Sequence, residues 1–117
     1  MQFVLTPEKK DGRLFFHLSG DLDYEGSRQL KVAFGEHLSR GEKAFVLNMS
    51  GLKIIASYSL STILKLSYIA KKSGATMAII CPAGNVWDVF YVLEIGKVIP
   101  LFPSEDAFWL EAGNNTP

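Results

Sequence analysis

Ala44-Phe45-Val46-Leu47-Asn48 is a short, nearly unbroken apolar run, and what stands on either side of it decides the fold. A run of this length between polar residues is the pattern of a strand covered on both faces, as in parallel sheets. Downstream the period changes: Leu60, Ile63, Leu64, Ser67 and Ala70 fall on one face of a helix, with Lys65, Lys71 and Lys72 outside that stripe and Gly74 as its stop. Thr76-Met77-Ala78-Ile79-Ile80-Cys81 is then a second buried strand, ended by Pro82. Upstream, between Gly26 and Arg40, the residues Leu30, Ala33, Phe34 and Leu38 recur at i, i+3, i+4 and i+8, an amphipathic helix closed by Gly41.

Further out, Gln2-Phe3-Val4-Leu5 and Arg13 to Leu18 read as two strands around the hairpin turn Lys9-Lys10-Asp11-Gly12, since Asp-Gly supplies the positive φ angles that such turns need. Gly20-Asp21-Leu22-Asp23 is expected to break the second of them. Beyond Pro82, a third helix over about Asn85 to Leu93 buries Val86, Val89, Phe90 and Leu93, and Lys97 to Leu101 forms a last strand with Pro100 near its end. Ser104 caps a final helix whose first turn holds Glu105 and Asp106, both suited to the positive end of its dipole.

The order β-β-α-β-α-β-α-β-α predicts an α/β fold: a single-layer sheet of about five mixed, mostly parallel strands, with four helices mainly on one face. The 117 residues make one domain, 1–117, with a core over about 2–111 and a frayed tail at 112–117. Phe102, Phe108 and Trp109 are read as core.

Twelve Lys+Arg balance twelve Asp+Glu, which argues against a non-specific nucleic-acid partner. The richest apolar stretch, Val86 to Phe102, is broken by Asp88, Glu94, Lys97 and Pro100, so no membrane insertion is expected. No secretory signal precedes Pro7-Glu8, so the expected location is cytoplasmic and the glycosylation-like triplets at Asn48 and Asn114 are chance matches.

Enzyme signatures are missing: there is no glycine-rich phosphate loop, no G-x-S-x-G and no H-E-x-x-H, and no cofactor is expected. Asp21 and Asp23 sit two apart and read as turn residues closing local hydrogen bonds rather than as a metal or proton-sharing pair. His17 and His37 read as packed or rim histidines, and the single cysteine, Cys81, as an inert core residue. Three hydroxyl residues, Ser57, Tyr58 and Ser59, cluster where the second helix starts. Ser57 there is an N-cap, a phosphate acceptor, or both, because free N–H groups and the helix dipole favour a negative charge at that end.

Four stretches give the chain a family likeness. Leu18-Ser19-Gly20-Asp21-Leu22-Asp23, Val46 to Leu52, Ile55-Ala56-Ser57-Tyr58-Ser59-Leu60 and Val92 to Phe102 stand in order, without sizeable gaps, over essentially the whole chain. They resemble the STAS domain, the fold of bacterial anti-sigma-factor antagonists, so the expected α/β sheet is STAS-like. The resemblance implies a binding module rather than an enzyme. Its partner would be an anti-sigma factor serine kinase of histidine-kinase-like ATPase fold, which phosphorylates Ser57, and a PP2C-type phosphatase would remove the phosphate. The partner-binding surface implied is Asp21, Asp23, Ala56, Tyr58, Ser59 and Leu60. A phosphate adds about −1.5 to −2 charges, and facing an acidic patch it would weaken binding by on the order of 1–4 kcal/mol.

The chain departs from the family pattern at this same place. Ala56 and Asn48 stand where the family has aspartates, Tyr58 where it has a small hydroxyl residue, and Ser59 where it has glycine. The alternative reading is therefore a non-phosphorylated structural STAS subunit of a signalling scaffold or a transporter accessory. In either case Asp21 and Asp23 are expected as surface turn residues beside an exposed Ser57.

Overall fold

A computed structural model of the chain describes residues 1–114. Five strands form one sheet in the order β1 (Val4–Lys10), β2 (Arg13–Leu22), β3 (Ala44–Ile55), β4 (Thr76–Ile80) and β5 (Leu101–Phe102). β1 runs antiparallel to β2, and every other neighbouring pair is parallel. Helices α1 (Tyr24–Ser39), α2 (Ser57–Lys72) and α3 (Asn85–Val92) form the crossovers, and α4 (Glu105–Asn114) follows β5.

The alternation of side chains along the strands divides the core. Leu14, Phe16 and Leu18 of β2, with Phe45, Leu47 and Met49 of β3 and Met77 and Ile79 of β4, pack against Leu30 and Phe34 of α1, Ile63 and Leu66 of α2, and Val86 and Phe90 of α3. The intervening residues Phe15, Val46 and Ile80 face the other way and meet Phe108 of α4. Three helices thus cover one face of the sheet and α4 alone serves the other, as the order of elements leads one to expect. Phe108 is core, while Phe102 and Trp109 pack against it partly buried.

The edges of the elements differ from the sequence reading for physical reasons. Asp11 (φ 49°) and Gly12 (φ 79°) close the two-residue hairpin, and its register pairs Val4 with Ser19 through to Lys10 with Arg13. β1 is therefore the mostly exposed run Val4–Lys10, not the apolar Gln2–Leu5. Gly20-Asp21-Leu22 does not break β2. The chain stays in the sheet, with Gly20 at φ 83° and register shifts between His17 and Ser19 and between Gly20 and Asp21. β3 likewise continues through the expected irregular stretch Ser50–Lys53 to Ile55.

α2 is rotated by about one position from the expected stripe. Ser59, Thr62, Ile63, Leu66, Ser67 and Ala70 are buried, and Leu64 is turned outward. On α3 only Val86 and Phe90 are fully buried, and Leu93 is exposed beyond its end. Lys97 to Leu101 is not a strand: Ile95 and Ile99 are both buried one turn apart, because a 3-10 turn at Ile95–Lys97 sends the Val98 and Ile99 N–H groups back to the Ile95 carbonyl. β5 is left with Leu101 and Phe102. α4 reaches Asn114, and residues 115–117 lie outside the described residues.

Candidate functional site at the ends of β2 and β3

β2 and β3 run side by side to their C-terminal ends, with Asp21 opposite Ile54 and Leu22 opposite Ile55. The two chains leave the sheet together, because the Ala56 N–H donates to the Leu22 carbonyl at 3.1 Å. One residue later each becomes a helix. Asp23 caps α1, its Oδ1 accepting the Gly26 N–H at 2.9 Å. α1 therefore begins at Tyr24, two residues before the position that its glycine suggests. Ala56 occupies the matching place before α2, in extended backbone (φ −83°, ψ 154°), with no side-chain bond to the helix.

The cap of α2 is thus Ala56, and Ser57 is its first helical residue rather than its N-cap. Ser57 is exposed. The first turn of α2 holds no acidic residue and no side chain caps it, which leaves that end favourable for a negative charge. Tyr58 is exposed too, and its ring lies 5.1 Å from that of Tyr24.

Asp21 and Asp23 both lie at this edge, but in different roles. Asp23 is exposed. Asp21 is a strand residue and not a turn residue, half-buried, with its carboxylate 2.6 Å from the Met1 amino group and its N–H on the Met1 carbonyl. Ser59 corrects the surface expected from sequence. It is fully buried, and its hydroxyl donates to the Leu22 carbonyl at 2.6 Å and stands 2.7 Å from the hydroxyl of Ser27. Leu60 packs against the core, and Ala56 is half-buried.

The exposed surface therefore consists of Asp23, Ser57 and Tyr58, to which Tyr24 and Ile54 are added. Sequence reasoning missed both. Tyr24 follows a capping aspartate, a signal that could have placed it on the first turn of α1. Nothing in the spacing brings it to Tyr58, thirty-four residues away in the chain.

The remaining polar residues singled out from sequence have other settings. His17 Nε2 lies 2.8 Å from Glu8, and its Nδ1 lies 3.3 Å from the Asn48 amide, whose oxygen accepts from the Ser50 N–H and hydroxyl. His37 packs edge-on to Phe16 at 5.5 Å. Burial pushes the Cys81 thiol up to about 11, which keeps it protonated at neutral pH. Among the described residues no group of three or more His, Cys, Asp or Glu could hold a metal ion. No helix among them is long and apolar enough to cross a membrane. A cavity of about 280 Å³, lined by Arg13, Val46, Ala78, Phe102 and Phe108, lies on the face served by α4, away from Ser57.

Residues 5–108 match the family model described as STAS domain. No curated protein matches the sequence. Among solved structures, an anti-sigma factor antagonist from Mycobacterium paratuberculosis superposes with a TM-score of 0.81 at 19% identity, over 90% of this chain and 89% of that one. The Bacillus cell fate determinant SpoIIAA in its phosphorylated form gives 0.68 at 17% identity, over 92% and 96%. A sulfate transporter family protein from Wolinella succinogenes gives 0.74 at 12%, over 92% and 91%. At these identities the likeness is one of fold.

Proposed function

The chain belongs to the STAS domain family, and on that premise we propose that it is a binding module of the anti-sigma-factor-antagonist type, with Ser57 as its phosphate acceptor. The partner is an anti-sigma factor serine kinase of histidine-kinase-like ATPase fold, and a PP2C-type phosphatase resets the switch. The observation that carries this reading is the position of Ser57, exposed on the uncapped first turn of α2 and on the same edge as Asp23 and Tyr24.

The chain's own residues fit such a task by binding, since Asp23, Tyr24, Ser57 and Tyr58 are all exposed at this edge. A phosphate on Ser57 brings its charge to the positive end of α2 and so does not disturb the fold. The same charge faces outward, where a partner that docks on Asp23, Ser57 and Tyr58 would have to accommodate it.

Incubation with the cognate kinase and ATP, followed by mass analysis of the peptide Ile54 to Lys65, tests the reading. Phosphate on Ser57, lost in Ser57→Ala, is the expected result. Phosphate on Tyr58 alone would mean that the acceptor is misassigned. Ser59 is inaccessible in the fold.

Ala56 favours a second reading, a structural STAS subunit that is not phosphorylated, in a signalling scaffold or as a transporter accessory. The residue before Ser57 offers no carboxylate for a kinase to read. Intact partner binding with no phosphate incorporation would select it.

A further inference from the structure

The outward face of α2 carries a pattern that a switch at Ser57 does not use. Tyr58, Ser61, Lys65, Tyr68 and Lys72 follow one another by three and four residues, which aligns them in one row along the helix. All five are exposed. Tyr68 leaves 61% of its surface to solvent, and Leu64 and Ile69 flank the row at 37% each. The row is about 21 Å long at the helical rise. Tyr24 braces its first ring at 5.1 Å, and the Lys72 ammonium lies 5.7 Å above the ring of Tyr68.

Among the four helices α2 alone carries no acidic residue. It contains three lysines. Elsewhere Lys9, Lys10, Arg28, Arg40 and Lys97 are each matched by a carboxylate at 2.6–3.6 Å, while Lys31, Lys43 and Lys53 on other elements have no ion pair among the described residues. Among the described residues no ion pair engages Lys65, Lys71 or Lys72. The chain as a whole is neutral, so its basic excess here is local. A convex ridge of aromatic and apolar side chains with one sign of charge is complementary to a groove of the opposite sign. Three lysines fall short of the roughly four to eight that mark anionic-lipid binding, and a neutral chain lacks the charge excess that drives nucleic-acid binding.

We propose that the outward face of α2, from Tyr58 to Lys72, is a docking ridge for a partner protein that presents an apolar groove rimmed by carboxylates. Tyr68, with Leu64 and Ile69, enters the groove, and Lys65 and Lys72 meet its rim. The ridge starts beside Ser57 but does not depend on phosphorylation there.

A benzophenone photo-crosslinker placed at Tyr68 in the full chain, irradiated in the source cell, tests the proposal when its adducts are mapped by peptide mass spectrometry. The expected adduct is to a groove bearing aspartate or glutamate. With the purified pair, K65E/K72E lowers its yield by about tenfold or more, and reversing two of the partner's rim carboxylates to lysine restores it. Ser57→Ala leaves the adduct in place, which separates failure of the ridge from failure of the phosphoswitch. K65Q/K72Q and far-UV circular dichroism control for folding. An adduct between two copies of the chain, to RNA or to lipid, an adduct indifferent to charge reversal, or no adduct would each overturn the proposal.

Discussion

The Ser59 and Ser27 hydroxyls lie 2.7 Å apart with both side chains wholly buried, and the pair ties α2 to α1 beneath the candidate surface. Ser59 uses its proton on the Leu22 carbonyl at 2.6 Å, so Ser27 is the donor between the two hydroxyls. Ser59→Ala removes both bonds and leaves buried partners unmatched, at a cost of about 2 kcal/mol. Ser27→Ala leaves the bond to Leu22 intact and costs about 1 kcal/mol. Urea unfolding of the two single variants and the double variant measures the coupling, and strictly additive effects would show that the pair is not a unit.

Gly20 holds the bend that keeps β2 in the sheet up to Leu22. Its φ is 83°, and an added Cβ would stand 2.1 Å from the Gln2 carbonyl oxygen. Gly20→Ala is therefore expected to destabilise by about 2 kcal/mol or more. Gly35 in α1 has open space around its Cα, and Gly35→Ala should stabilise by roughly 0.5–1 kcal/mol. Equal midpoints for the two variants in denaturant would contradict the argument.

The periodic parts of this fold are legible in the sequence, because burial on one or two faces leaves a period in the apolar residues. β3, β4 and α1 are of that kind. What the period cannot carry is backbone pairing by polar residues. Pro7 to Lys10 enter β1 because the Asp11-Gly12 turn aligns them with Phe16 to Arg13, not because they are apolar. Ser59 and Thr62 turn into the core because their hydroxyls find acceptors on Leu22 and Tyr58. That rotation is invisible when polar residues are assigned to the surface. At the candidate site, the local pattern set Ser57 at the start of α2 and Asp23 at the end of β2, but not their settings. Ala56 rather than Ser57 precedes the helix as its cap, and Asp23 caps α1 instead of closing a turn. The burial of Ser59 and the pairing of Tyr58 with Tyr24 depend on contacts across the chain, which no spacing records.

α4 is tethered to the hairpin by a bridge that titrates. Lys10 lies 2.9 Å from Glu105, whose same oxygen accepts the Trp109 indole N–H at 2.9 Å. The bond from Lys10, then that from Trp109, holds the Glu105 carboxyl below its ordinary 4.5. The bond to Glu105 raises Lys10 above 10.5. The Glu105 contribution is thus present above pH 4.5 and fades as pH falls through the lowered value in the fold. The Lys10 contribution is present below 10.5 and fades as pH rises through the raised value. Both side chains are partly exposed, so the bridge contributes about 0–1 kcal/mol at neutral pH. Trp109 fluorescence in a Trp87→Phe background should report loosening of α4 below pH 4.5. Glu105→Gln should remove that acid limb, and an unchanged acid limb would assign it to other groups.

Ala56 leaves α2 without a cap although its backbone already has the extended conformation that a capping residue adopts. Ala56→Asp would place a carboxylate within reach of the N–H groups of the first turn and against the positive end of the helix. The expected gain is about 1 kcal/mol, or about 3–5 °C in Tm for a domain of this size. Ser57→Asp, one position later, should also stabilise, by about 0.3–1 kcal/mol from the dipole alone, while weakening partner binding if Ser57 lies in the interface. The two carboxylates would be neighbours at one helix end, so the double variant should gain less than the sum of the single ones. Thermal unfolding of the three variants decides the matter. A Tm for Ala56→Asp at or below that of the parent would mean that the first turn of α2 already has its N–H groups satisfied, and that the positive end described at Ser57 is not free to receive a charge.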